Sequence, residues 1–423
     1  MTATARPHKV ETQVLETAEE TKPTPTIDYT LGEQAIISWL ENMDTPASVA
    51  SAQKLRAEGL PNRRVEAFKY ADIRLALRDE YPWGAGEMPE LPTFLIGCTV
   101  LRAQDTWVAL EPAEEEGLHA IVWPEPQPPY HEDPMSMLCA GLSPATASLK
   151  VTAPLAKPIV LLRGPGTSSR INFHVVAHCA ATLVEISDGT AGLSTLHMEV
   201  RVEEGGSFTR IMLQKGSADA INLSYASTKL YQDAKYSQTA LAFGSKLARA
   251  ETRVTVEGEG GQVSINGAYL LDGTAHADST VLVEHTWLNG TTTEVFKGAV
   301  KDKAHGVFQG KIKVEQAAQK TDARLRHDAL MLTEGASIDA KPELEIWADD
   351  VACAHGNTIG AIDDNALFYM RQRGIPEPAA KAMLVEAFIG EAFDNVTDDS
   401  IREWLNAQAQ GWLATAVASG ETP

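Results

Sequence analysis

The stretch Glu204–Leu213, EGGSFTRIML, decides the fold: a turn of small residues hands over to a short strand rich in apolar and β-branched side chains. The same plan recurs on either side of it. CAATLVEI (Cys179–Ile186), QDAKYSQTAL (Gln232–Leu241), EGGQVSING (Glu259–Gly267), HGVFQGKIKV (His305–Val314) and EGASIDAKPELEI (Glu334–Ile346) all repeat it. Equivalent turns fall about 26 to 29 residues apart, a spacing within the range of repeat architectures. Short strands recurring with no helix between them point to a solenoid of parallel strands, a β-helix, over residues 149–362. A β-sandwich is the alternative, since its strands are joined at similar spacing.

Outward from this core the pattern changes. Residues 1–26 are rich in Thr, Glu, Ala and Pro and read as a disordered tail. Residues 27–95 turn helical, with Ile36, Ile37, Trp39 and Leu40 clustered on one face, and 96–148 form a mixed connecting region containing WPEPQPPYHEDP. The helical period returns over 363–423. Asp363 is placed to cap a first helix and Gly374 to close it. Met383, Leu384, Ala387 and Phe388 form a stripe on a second helix, and Ile401, Trp404, Leu405 and Trp412 mark a third. The expectation is a mainly β protein with helical domains at both ends, the C-terminal one capping the solenoid.

The formal charge of −21 repels phosphate backbones and anionic lipid, which argues against nucleic-acid and membrane-surface roles. No apolar run approaches the length of a membrane helix, and the first residues contain no apolar signal region. Cys98, Cys139, Cys179 and Cys353 are scattered without a CxxC and read as free thiols of a cytoplasmic protein. There is no phosphate loop, no G-x-S-x-G and no H-E-x-x-H, so neither ATP hydrolysis nor catalysis by this chain is expected.

Chemistry-bearing residues concentrate in EIWADDVACAHGNTIG (Glu345–Gly360). Cys353 and His355, two apart on an extended chain, share one face, and thiolate with imidazole suits iron. Asp349 and Asp350 are consecutive, point to opposite faces, and read as turn or interface carboxylates. Arg63, Arg64, Glu66 and Lys69 read as a charged helix face bonded to itself or to the solenoid. His174, His178 and Cys179 read as ordinary strand positions rather than a metal site.

FQGKIKVEQAAQKTDARLRHDALML (Phe308–Leu332) and KPELEIWADDVACAHGNTIGAIDDNALFYMRQRGI (Lys341–Ile375) closely resemble the SufB/SufD family of the SUF iron–sulfur cluster assembly system, in its SufD version. LPNRRVEAFKYADIR (Leu60–Arg74) resembles that family's N-terminal arginine/lysine–aromatic motif, and the middle of the chain matches weakly. The resemblance implies a right-handed parallel β-helix that pairs with a SufB-like paralogue and carries a SufC-like ATPase on its C-terminal helices. It also implies a scaffold holding a transient iron–sulfur cluster or iron at the SufB interface, with Cys353 and His355 as a half-site shared with SufB. Ala354 stands where the family often has serine. Phe368, Met383, Phe388 and Trp404 are the expected ATPase-docking residues. A homodimer of the isolated chain is compatible with this plan, and no residue pattern speaks for or against a flavin. The competing readings are a β-helix enzyme acting on polysaccharide, which needs clustered carboxylates on neighbouring rungs, and a metalloenzyme acting alone.

Overall fold

The structure, a computed structural model, describes residues 27–79, 87–104, 107–111, 116–123, 133–143, 145–189 and 191–418. The tail expected at 1–26 lies outside the described residues. Among them, from Thr146–Val151 onward the chain alternates strand by strand between two sheets, so each strand pairs in parallel with the one two steps later, while at the start Thr99–Gln104 pairs antiparallel with Trp107–Glu111 and Leu118–Trp123 antiparallel with Thr146–Val151. Lys235–Ala242 pairs with Gln262–Leu271 and Leu247–Val256 with His276–His285. The ten-stranded sheet runs from Ala352–Gly360 at one edge to Trp107–Glu111 at the other. Its nine-stranded partner runs from Ser337–Ile346 to Leu118–Trp123. The result is a mainly β protein built on a solenoid of about 8 turns with helices at both ends of the chain.

The repeating small-residue turns have a common backbone cause. His178, Gly205, Asp233, Gly260, Asn289 and Lys320 all have positive φ, between 51° and 72°, where Gly and Asn sit with least strain. These residues stack. The N–H of His178 donates to the carbonyl of Glu204, Gly205 to Gln232, Asp233 to Glu259, Gly260 to Leu288, and Asn289 to Gln319. At Gly205 a side chain would also collide with the imidazole of His178, 2.4 Å from its Nδ1.

Between the sheets lies a continuous apolar core that includes Leu161, Leu183, Phe208, Val254, Ile265, Val283, Phe296, Phe308 and Leu325. Helices cover the flanks. Helices α1 (Leu31–Met43) and α2 (Pro46–Glu58), the short α3 (Ile73–Ala76) and α4 (Pro134–Gly141) bury their apolar faces on Leu193, Ile221, Leu223, Tyr225 and Leu247 of the nine-stranded sheet. The α1 N-terminus is fixed by a reciprocal capping box between Thr30 and Glu33.

Three further helices follow the solenoid: α5 (Asp364–Gln372), α6 (Glu377–Gly390) and α7 (Asp399–Ala418). Val385, Ile389, Ile401, Leu405 and Leu413 pack on Val160, Val184, Ile211, Leu241 and Leu270 of the ten-stranded sheet. The C-terminal unit therefore covers a flank rather than capping the solenoid's end. The reason is the outward apolar column of that sheet, which would otherwise face water. No helix among the described residues is long and apolar enough to cross a membrane.

Candidate functional site

Where the helices leave it uncovered, the solenoid ends in the strands Ser337–Ile346 and Ala352–Gly360, each an edge of its sheet. Ala323 aligns with Cys353, Leu325 with His355 and His327 with Asn357. Ala323 and Leu325 are buried core residues, so Cys353 and His355 occupy inward-facing columns at the point where those columns stop. The Cys353 side chain still packs against the core, while His355 is exposed.

Edge polarity is unequal. In the ten-stranded sheet the N–H of Ala352 donates inward, to Thr321. By the alternation of a parallel ladder, the backbone groups of Cys353, His355, Asn357 and Ile359 face the open edge. In the other sheet Ser337 donates inward, to Ala304, so Pro342 falls on an open-edge position and removes a donor there. The open, unblunted edge is the one that carries Cys353 and His355.

Burial raises the Cys353 thiol above the usual thiol range, so it is protonated near neutral pH until a metal or base takes the proton. Behind it, the strand is anchored by Asn357, whose Oδ1 lies 2.7 Å from Nδ1 of His327. The other nitrogen of His327 meets the Tyr269 hydroxyl at 2.8 Å, and burial keeps this imidazole neutral. Among the described residues no three His, Cys, Asp or Glu side chains gather into a metal-holding group. Cys353 and His355 supply two ligand types and require others to complete a coordination sphere.

The remaining sequence candidates separate. The carbonyl of Asp350 accepts from Lys320, ending the stacked turn ladder, and its N–H donates to Gln319 Oε1 at 2.8 Å. Glu66 pairs with Lys341 at 2.8 Å, tying the N-terminal motif to the last rung, and Phe68 lies under the Arg249 guanidinium at 4.6 Å. Arg63 faces Asp72 at 3.7 Å, Arg64 donates its N–H to Asn62, and Lys69 lies over the Tyr70 ring. His174 pairs with Glu203 at 3.0 Å, His178 forms a positive-φ turn and Cys179 is buried. Of the four expected docking residues, Phe368 and Met383 are exposed, at 63% and 50%. Phe388 and Trp404 are half-buried: Lys297 sits 4.6 Å from the Phe388 ring and Phe94 lies 5.9 Å from Trp404.

Two structural features have no counterpart among the sequence candidates. One is the His327–Asn357 contact, signalled in HGNTIG only by the two-residue step from His355 to Asn357. The other is a set of buried charges inside the solenoid, Arg163, Glu185 and Arg210.

A parallel two-sheet solenoid with helical flanks and a thiol–imidazole pair on its open end defines the class. Residues 163–388, more than half the chain, match the core domain of the SufBD proteins of the SUF system for FeS cluster assembly, and the chain belongs to that family. It is of SufD type. It is 25% identical to the iron–sulfur cluster assembly protein SufD of Escherichia coli over 393 residues, 86% of this chain and 92% of that protein. An iron–sulfur cluster assembly SufBD family protein of Synechocystis is 32% identical over 200 residues, 47% of this chain and 44% of the relative. A SufBD family protein of Mycobacterium bovis is 27% identical over 274 residues, 62% of this chain and 69% of the relative. The chain thus spans under half of the Synechocystis relative and most of the Escherichia coli one.

Proposed function

We propose that this chain is a non-catalytic, cytoplasmic scaffold subunit for iron–sulfur cluster assembly. It pairs through its open ten-stranded-sheet edge with a SufB-like paralogue and presents Cys353 and His355 as half of a shared iron or cluster site. The observation that carries the reading is their location: the pair lies in inward columns, on the edge without proline, at the end the helices leave uncovered. A partner strand added there continues the ladder and brings its own side chains opposite Cys353 and His355. The cluster is cargo, formed and passed on.

A SufC-like ATPase docks on the C-terminal helices through Phe368 and Met383. These expose apolar surface that the solenoid does not use.

The test is co-expression with SufB-like and SufC-like proteins, followed by measurement of complex yield, Tm and cluster content. His355→Ala removes an exposed side chain, so Tm and pairing stay near wild type while cluster content falls several-fold. Cys353→Ser gives the same pattern, with a small Tm loss because the thiol touches the core. Normal cluster content in both variants would sink the half-site; unfolding of His355→Ala would make the histidine structural.

A further inference from the structure

The Tyr269 ring lies across a neighbouring strand of its own sheet. Gly298, its partner on that strand, leaves the space: a Cβ there would fall 2.2 Å from Tyr269 Cζ, and one at Gly306 2.5 Å from its Cε2. The ring therefore passes over Gly298 and reaches His327, one strand further on, where its hydroxyl meets Nε2 at 2.8 Å. The His327 imidazole is fully buried and lies flat on Phe308, with 4.9 Å between centroids and 5° between planes. Its Nδ1 meets Asn357 Oδ1 at 2.7 Å on the edge strand. Three side chains thus form one hydrogen-bonded line from the interior of the solenoid to its open end.

The line has a direction. Among the described residues the Tyr269 hydroxyl, on a side chain 1% exposed, meets no polar group except His327. A neutral imidazole has one N–H and one lone pair. Were Nε2 the donor, the buried Tyr269 proton would be left without an acceptor, which is costly. With Tyr269 donating to Nε2, the hydrogen sits on Nδ1 and is donated to Asn357 Oδ1, and every group is satisfied. Burial keeps the Tyr269 hydroxyl protonated and His327 neutral. The Asn357 amide is planar, so turning its oxygen back to His327 turns its NH2 away. That NH2 meets no acceptor among the described residues, and Asn357 is exposed. Asn357 lies two residues beyond His355 on the same face, roughly 6.6 Å along the strand.

We propose that Asn357 is a further binding residue of this end, its NH2 donating to a sulfur of the cargo, with Tyr269 and His327 as the positioning residues that set the amide's orientation. This rests on the reading of Cys353 and His355 as half of a shared cluster site. An amide nitrogen donates and does not ligate, so beside an iron–sulfur cargo its partner is the sulfur rather than the iron. Hydrogen bonds to the sulfurs help set a cluster's potential, and a donor favours the more negative, reduced state.

The first measurement needs no cargo. In the full chain with histidine labelled with nitrogen-15, the His327 ring nitrogens should show the neutral Nδ1–H tautomer at neutral pH. The Nε2–H tautomer would overturn the proposal. Tyr269→Phe should give a mixture of the two. The second measurement uses the complex with SufB-like and SufC-like proteins, purified anaerobically with its cluster. Asn357→Leu should shift the cluster's reduction midpoint to lower potential. Tyr269→Phe, altered far from the cargo, should shift it the same way by a smaller amount. A merely structural role would change Tm and complex yield but not the midpoint. An unchanged midpoint in Asn357→Leu, with cluster content falling several-fold in His355→Ala, would overturn the role of Asn357 and leave the half-site standing. So would a loss of complex yield at unchanged midpoint, the sign of a bond to the partner's backbone instead. Normal cluster content in both His355→Ala and Cys353→Ser would overturn the half-site and this proposal together.

Discussion

Glu294 shows what a single side chain costs when the strand carrying it turns it inward. It aligns between Ile265 and Leu325, is fully buried, and neither carboxyl oxygen has a partner among the described residues. Desolvation pushes its pKa up to about 8. Between the ordinary carboxyl value and that figure the folded chain keeps a proton that the unfolded chain has lost. Stability therefore falls as pH rises through this window and levels off above it. Glu294→Gln removes the titration. The variant should match wild type near pH 4 and gain progressively to pH 8, by roughly 4 kcal/mol or somewhat less, read from urea unfolding at each pH. A pH-independent difference would mean the carboxyl is solvated. His285 works in the opposite direction: burial pulls it down to about 4, so its contribution is lost as pH falls below the ordinary histidine value. The pairing of Cys353 with His355 on one face was legible from alternation alone. That this face is inward, and that Glu294 and Glu185 share it, depends on register. Charged residues in an alternating strand read by default as solvent-facing.

At the scale of the element, the two edge strands differ in one residue that matters. Pro342 blunts the nine-stranded edge, and the sequence showed it without saying which way its missing N–H would point. The strand Ala352–Gly360 has no such guard. Ile359 lies on it with backbone groups facing outward and its side chain 37% exposed. Ile359→Pro should remove one donor from the open edge while leaving the inward hydrogen bonds of the neighbouring residues intact. The isolated chain should lose at most a few degrees of Tm, and the yield of complex with a SufB-like partner should fall about tenfold or more (one lost hydrogen bond plus a steric block). Unchanged yield would place the interface elsewhere. The C-terminal helices offer a parallel test. Phe368→Ser with Met383→Ser should weaken capture of a SufC-like ATPase at unchanged Tm. Phe388→Ser should lower Tm first, because that ring packs on the flank beside Lys297. Helical spacing identified all four residues as apolar but could not divide them, since the sheet beneath supplies half of the burial.

The whole molecule is a one-dimensional stack whose middle is held from both sides and whose last turn is not. The repeat spacing, the alternation and the return of helical periodicity made the stack legible in the sequence. The flanking position of the helices was not, because it follows from outward-facing apolar columns that appear only once the strands are in register. In such a stack each rung depends on its neighbours, so local stability should follow coverage. Central rungs, clamped between the α1–α4 cluster and the α6–α7 cluster, should exchange backbone amides slowly. The strand Ala352–Gly360 should exchange fastest, led by Cys353, His355, Asn357 and Ile359, whose N–H groups face the open edge. If a SufB-like partner pairs with this edge as proposed, it supplies the missing strand, so protection should rise at these residues and change little at the far end, Trp107–Glu111 and Leu118–Trp123. Hydrogen exchange with and without the partner reads this directly. Protection appearing at the far end, or spread evenly over all turns, would mean that pairing does not use the edge carrying Cys353 and His355.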